Sequence, residues 1–289
     1  MKWIWLVIPV VVLGVGLLAC TSKKNGHSGL GGTGERFSHT KSSAPKTIAS
    51  KEIHAFSYQF STAPLTEGHD QPIPYNPCTF TLQREADGVH FTGSGGGYTG
   101  YFALFEFATT VPFSALDDLQ VLIDKHNVAA VNGVNETVQG ITEEFTTRLR
   151  VTYASGEKIY AYDNSGPILS DDATRDLYHF FLGLAQNADR TFMYSAEDFW
   201  TLHQSLSNRF EDKQGRFLVF ENFTVDVFED ETRVAHAAYF VKGDFIYAQT
   251  RDNSIADYAH FAWRDGALFA IKKDGAEVAF FPVTSDSPL

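Results

Sequence analysis

The chain has 289 residues, with 23 Lys and Arg against 35 Asp and Glu, a formal net charge of −12 at pH 7. Nucleic-acid binding rests on neutralising phosphates with Lys and Arg, so this balance argues against a nucleic-acid partner. Aromatic residues make up 14% of the chain, Phe alone numbering 25, which supplies ample apolar area for a core.

The first three residues are Met1-Lys2-Trp3, followed by an apolar run over residues 4–18 and then Ala19-Cys20. A positive start, an apolar stretch and a small residue at its end describe a secretory signal over residues 1–19. The run falls short of the roughly 20 residues of a spanning helix, and Pro9, Gly14 and Gly16 weaken it as a helix. Leu17-Leu18-Ala19-Cys20 resembles the lipobox of bacterial lipoproteins, with Leu18 where a small or β-branched residue is commoner. The resemblance covers residues 1–20. It implies cleavage before Cys20, lipidation of Cys20, and a membrane-anchored protein of the cell envelope lying outside the cytoplasm.

Residues 20–50 read as the lipidated cysteine and a flexible tether. Positions 21–50 hold 15 Gly, Ser or Thr and no sustained apolar periodicity, so a coil of about 30 Å root-mean-square span is expected. The first 50 residues carry six basic side chains and one acidic, leaving 17 basic and 34 acidic in the remainder, a net charge of −17. Anionic lipid attracts such a tether and repels such a body. With Cys20 lipidated, Cys78 has no intramolecular partner and the fold cannot rely on a disulfide. Cys78 alternates with Phe80 and Leu82, which predicts a buried, inert thiol.

Residues 51–190 read as a mixed α+β region. Alternation predicts a strand over Ile53–Phe60. Strands at Cys78–Arg84 and 89–92 form a hairpin across Asp87-Gly88. The segment 93–97 is read as a flexible glycine connection rather than a phosphate cradle, because it leads into an aromatic strand over 101–107 and not into a helix. Ser114 with Asp117 reads as a capping box opening a helix that ends near Asn127. A second hairpin joins 145–153 to 158–162 across Ser155-Gly156. Ser170 opens a helix with the stripe Ala173, Leu177, Phe180, Phe181 and Leu184. Residues 119–167, a helix, an Asn/Gly segment and a Ser-Gly hairpin, are similar to a block in uncharacterised lipoprotein ectodomains; the likeness implies no activity.

Residues 191–289 read as a helix plus an antiparallel meander, either separate from 51–190 or continuous with it. Ser195 caps the helix, and short strands follow at 218–227, 233–241, 245–250, Tyr258–Arg264, 268–272 and 278–283. Turn residues at Lys242-Gly243-Asp244, Asp265-Gly266 and Asp274-Gly275 separate several of them. A weak repeat aligns 234–239 (VAHAAY) with 258–263 (YAHFAW). The expected class is therefore α+β, with antiparallel sheets, about three helices and a C-terminal β-meander. On Tyr258–Arg264 the expected buried face is Ala259, Phe261 and Trp263, matched by Ala237, Tyr239 and Val241.

No motif for catalysis stands out, and no cofactor is implied. His236 and His260 occupy equivalent places in the repeat and are the weak metal candidates, about 9–10 Å apart across one intervening strand. His179 and His203 lie on predicted helices without a second ligand. The adjacent acids Asp117-Asp118, Glu143-Glu144 and Asp171-Asp172 diverge on a helix and read as caps and surface charge. The reading is a non-enzymatic binding or structural envelope protein, with membrane lipid as one partner through Cys20 and a protein or glycan as another. A hydrolase acting on an envelope polymer is the alternative. An exposed aromatic strip on the meander would favour glycan binding, and a deep cleft gathering acids or histidines would favour the enzyme.

Overall fold

A computed structural model describes residues 34–62, 65, 73–96, 103–141, 146–187 and 193–283. The expected signal, Cys20, the tether up to residue 33 and Glu143-Glu144 lie outside the described residues. The first part of the molecule comprises β1 (Arg36–Ser38), β2 (Ile53–Phe60), β3 (Cys78–Arg84), β4 (Val89–Gly95), β5 (Ala103–Val111), α1 (Ser114–Lys125), β6 (Asn135–Val138), β7 (Thr147–Tyr153), β8 (Lys158–Asp163) and α2 (Asp171–Gln186). These strands form one sheet in the order β1-β6-β8-β7-β2-β3-β4-β5, antiparallel except where β6 runs parallel to β8.

Alternation turns one set of side chains, among them Phe56, Tyr58, Phe80, Phe91, Leu149 and Val151, into the core, where the two helices pack on it. Phe181 of α2 is the centre of this layer, 4.6 Å from Phe80, 5.7 Å from Phe56 and 6.1 Å from Phe91, ring centroid to centroid. Among the described residues no helix packs on the opposite face of the sheet. Ser170 caps α2 as expected, accepting from the Ala173 N–H at 3.3 Å, but its buried stripe is Ala173, Thr174, Leu177, Tyr178, Phe181, Leu182 and Ala185. Phe180 and Leu184 are only partly buried. Ser114 does not cap α1: it is already the first helical residue, Phe113 stands before it, and no side chain accepts there.

Two local readings are corrected. Residues 34–50 are not tether: β1 pairs with β6, the His39 and Lys41 N–H groups donate to Asn135 and Gly133 carbonyls at 2.8 and 2.9 Å, and Ile48 is buried. Backbone pairing and one apolar anchor hold this segment, and neither leaves a periodic signal. Gly93 and Gly95 are not a flexible connection either. Both lie inside β4, and a Cβ would come within 2.5 Å of the Phe107 ring at Gly93 and 2.2 Å of the Phe105 ring at Gly95. The glycines are the space those rings occupy.

The second part begins with α3 (Ala196–Leu206), again capped as expected, by Ser195 accepting from the Asp198 N–H at 3.1 Å. Eight strands follow: β9 (Arg209–Glu211), β10 (Phe217–Glu221), β11 (Thr224–Glu229), β12 (Thr232–Lys242), β13 (Phe245–Ala248), β14 (Tyr258–Arg264), β15 (Ala267–Lys272) and β16 (Glu277–Pro282). Each pairs antiparallel with the next. The last returns to the first, Phe281 opposite Glu211 and Pro282 opposite Phe210. The meander is thus a closed barrel, which leaves no free sheet edge. A barrel of about eight strands is just wide enough for side chains to fill, and Phe210, Phe220, Tyr239, Ile246, Phe261 and Phe280 fill it.

The α+β class with antiparallel sheets stands, with three α-helices among the described residues, but the barrel has two strands that the sequence did not suggest. One is the three-residue β9. The other arises because 218–227 is two strands, broken by a turn at Asn222-Phe223 whose φ values are +48° and +62°. Barrel and sheet meet where Val241 and Lys242 of β12 pair in parallel with Ala103 and Leu104 of β5. Among the described residues no helix is long and apolar enough to cross a membrane.

Candidate functional site: an aromatic row beside a groove

The outer wall of the barrel over β12, β13 and β14 carries the most unusual surface. Tyr239, Val241, Ile246 and Phe261 point inward and are buried; alternation turns Phe240, Phe245, Tyr247, His260 and Ala262 outward, where Phe240 and Ala262 are nonetheless covered. Phe240 lies directly opposite Tyr247, and Phe245 opposite Ala262, a register that brings Tyr247 against His260. The ring centroids are 5.4 Å apart for Phe240–Tyr247, 5.4 Å for Tyr247–His260 and 4.7 Å for Phe245–His260. Phe240 is covered by its neighbours, whereas Phe245 is 38% exposed. Burial pushes the Tyr247 phenol up and the His260 imidazole down, so both favour their neutral forms.

Beside the row, α3 and the rim of the barrel enclose a groove of about 670 Å³. Tyr194, Asp198, Thr201, Leu202 and Ser205 line the helix side; Val241, Asp244, Phe245, Ile246, Ala262, Trp263 and Arg264 line the barrel side, so the wall is mostly apolar with two carboxylates and one guanidinium set in it. Phe245 belongs to both row and groove, so the two form one surface. The capping box fixes the Asp198 carboxylate, which accepts from the Ser195 hydroxyl at 2.9 Å. Tyr194 donates its hydroxyl to the Gly243 carbonyl at 3.1 Å. Burial pushes its phenol up to about 12, with the Asp244 and Asp198 charges acting in the same direction. Arg264 pairs with Glu277 and lies 4.6 Å from the centroid of the Phe269 ring. Aromatic rings attract the slightly positive C–H groups of a polar ring, while carboxylates accept from hydroxyls and a guanidinium donates to oxygen.

The two histidines proposed from the repeat do not converge. His260 is in the aromatic row, but His236 lies on the half of β12 that pairs with β11, and β13 ends at Ala248 before reaching its level. His236 instead contacts Asp226, Nδ1 to Oδ1 at 2.8 Å, with Arg233 3.4 Å from the same oxygen. Among the described residues no group of three or more His, Cys, Asp or Glu side chains is placed to hold a metal. Cys78 is buried, and burial pushes its thiol far up, away from the reactive thiolate.

His203, unpaired in the sequence reading, acquires a partner through the fold. Its Nδ1 lies 2.7 Å from the Tyr239 hydroxyl, and its ring stacks on Phe223 at 3.9 Å and 5°. It fastens α3 to the barrel, and burial lowers its pKa. The row itself was missed. Its outward residues alternate with inward ones in FVK, FIYA and HFAWR, a signal that becomes legible only once the strands are known to be neighbours. No family model matches the chain, and no curated protein or solved structure matches it.

Proposed function

We propose that the chain is a membrane-anchored, extracytoplasmic lipoprotein, held by lipid on Cys20, whose folded part binds a glycan of the cell envelope without transforming it. The observation that carries the binding role is the outward aromatic row Phe240–Tyr247–His260 with Phe245, continuous with a largely apolar groove into which the Asp198 and Asp244 carboxylates and the Arg264 guanidinium are set. A soluble domain ordinarily buries aromatic rings or spaces them singly on its surface, and a contiguous set marks a binding surface. Pairing rings with hydrogen-bonding groups suits a ligand that has apolar faces and hydroxyl edges, which is the chemistry of a sugar ring.

The test is co-sedimentation of the chain with insoluble envelope polysaccharide, comparing wild type with Tyr247→Ala and Phe245→Ala. An aromatic contact is worth about 1 kcal/mol, so each variant should bind several-fold more weakly, while His236→Ala, further along β12 and paired with Asp226, should bind normally. Equal binding by wild type and both row variants would overturn the reading. The hydrolase alternative draws support from Asp198 and Asp244, which reach one groove from separate elements, as paired catalytic carboxylates do. Release of reducing ends that is abolished by Asp198→Asn or Asp244→Asn would replace the binding role with the enzymatic one.

A further inference from the structure

We propose that the open face of the N-terminal sheet is a docking surface for anionic lipid headgroups. Directly paired residues share a face and alternate residues along a strand return to it. Register therefore assembles the outward set: Phe37 opposite Thr137, Asn135 level with Tyr162, Arg148 opposite Tyr162, and Arg150 opposite Tyr160. The face so formed carries Arg148, Arg150 and Lys158, all exposed, with Phe37 and Tyr160 at 43% and 44% exposure. The Arg148 guanidinium lies 5.5 Å from the centroid of the Tyr162 ring. Among the described residues, Arg148, Arg150 and Lys158 make no ion pair.

Among the described residues the carboxylates are elsewhere. The outward positions of β1, β6, β8, β7, β2, β3 and β4 hold no Asp or Glu, although residues 51–289 carry 34 acidic side chains against 17 basic. Glu136 and Asp163 fall on the other face, where Glu136 accepts from Ser38 and Thr40 and Asp163 accepts from Ser165. Glu157 sits in the β7–β8 turn and takes the Ala49 and Ser50 N–H groups. Glu35 at one margin and Glu106 on β5 at the other bound the face. A body that is acidic overall meets an anionic surface favourably only through a face of this kind, and tyrosines with an apolar body and polar tip suit the headgroup layer.

The described chain begins at the edge of this same sheet. The described residues start at Gly34, next to edge strand β1, and 13 residues separate it from Cys20. Fully extended, a chain of that length reaches at most about 50 Å. With lipid on Cys20, the anchor keeps β1 and the arginine face within that reach of the headgroups. This last step rests on the lipoprotein reading; the charge pattern does not.

The experiment uses the mature chain, residues 20–289 with Cys20→Ser, so that no acyl chain contributes. Vesicles of phosphatidylcholine, alone or with about one-third phosphatidylglycerol, are sedimented with it at low salt. Each basic side chain near such a surface adds about fivefold to binding, and three add about a hundredfold. Expected is binding to the anionic vesicles only, lost about a hundredfold in Arg148→Gln/Arg150→Gln/Lys158→Gln and unchanged in Arg209→Gln/Arg233→Gln on the barrel. The three residues are exposed, and an unaltered melting temperature checks that the variant is folded. Equal binding by the triple variant, equal binding to neutral vesicles, or no binding to either would overturn the proposal. Preferential capture by heparin over vesicles of equal charge would do so too, assigning the face to a soluble polyanion. Acylation at Cys20, read separately with labelled fatty acid, tells a failure of the anchor from a failure of the face.

Discussion

Replacing Phe261 by Ala tests the barrel at its centre. Phe261 is fully buried on β14, with Phe220 edge-on at 5.7 Å and Tyr258 at 5.8 Å, and it lies between Ile246 and Ala270 across the two neighbouring strands. A buried aromatic side chain removes about 150 Å² or more from water, which at about 25 cal/mol per Å² is about 4 kcal/mol. A compact denatured chain lowers that figure by roughly 10–40%. A closed ring of eight strands cannot collapse onto the space left behind, which raises it. The expected loss is about 3–5 kcal/mol. His260, one residue earlier, faces outward against Phe245 and Tyr247, and His260→Ala should cost under about 1 kcal/mol. Urea unfolding of both variants, with matching slopes, reads the difference. If Phe261→Ala does not fold, Phe261→Leu should still lose about 1–2 kcal/mol. A larger loss at His260 than at Phe261 would refute the inward and outward assignment on β14, and with it the aromatic row.

Cys20→Ala should abolish incorporation of labelled fatty acid and block processing of the precursor; normal acylation of that variant would end the lipoprotein reading. His203 should make stability fall on acidification. Burial holds its folded pKa below the ordinary value, whereas the unfolded chain takes up a proton near pH 6.5. Stability is therefore full above about pH 6.5, declines as pH falls toward the folded pKa, and levels off below it. Unfolding of wild type and His203→Phe at about pH 5.5 and about pH 7.5 should show the smaller acid loss in the variant; equal losses would refute the linkage.

What was legible in the sequence was local. Ser170 and Ser195 cap their helices through N–H groups three residues away, and the Asp87-Gly88 and Ser155-Gly156 hairpins join strands that are chain neighbours. Ser114 misled because the same pattern can sit one residue inside a helix. Closure of the barrel was illegible for a physical reason: it depends on β9, too short for a period, and on the Asn222-Phe223 turn, where Phe stands in a left-handed conformation that usually signals Gly. Partner changes along one strand are equally silent. β12 pairs with β11 through Ala238 and with β13 from Tyr239 onward, which is why the two repeat histidines share a pattern and not a place. The aromatic row and the carboxylate-free face both arise from register, a property of strand pairs that no single segment encodes.

The parallel contact of β12 on β5 has a geometrical consequence. Between β7, which carries the two arginines, and β12, which begins the aromatic row, the ladder passes through β2, β3, β4 and β5, five pairings in all. At the average rotation of roughly 20–25° for each pairing, five pairings would turn the normals of the two surfaces roughly 100–125° apart. A molecule lying with its arginines on a bilayer would hold the row nearly edge-on to the lipid plane, open sideways to whatever polymer surrounds it. Orientation at a membrane would then be set by the number of strands between the two surfaces: one strand fewer would swing the row about 20° toward the headgroups.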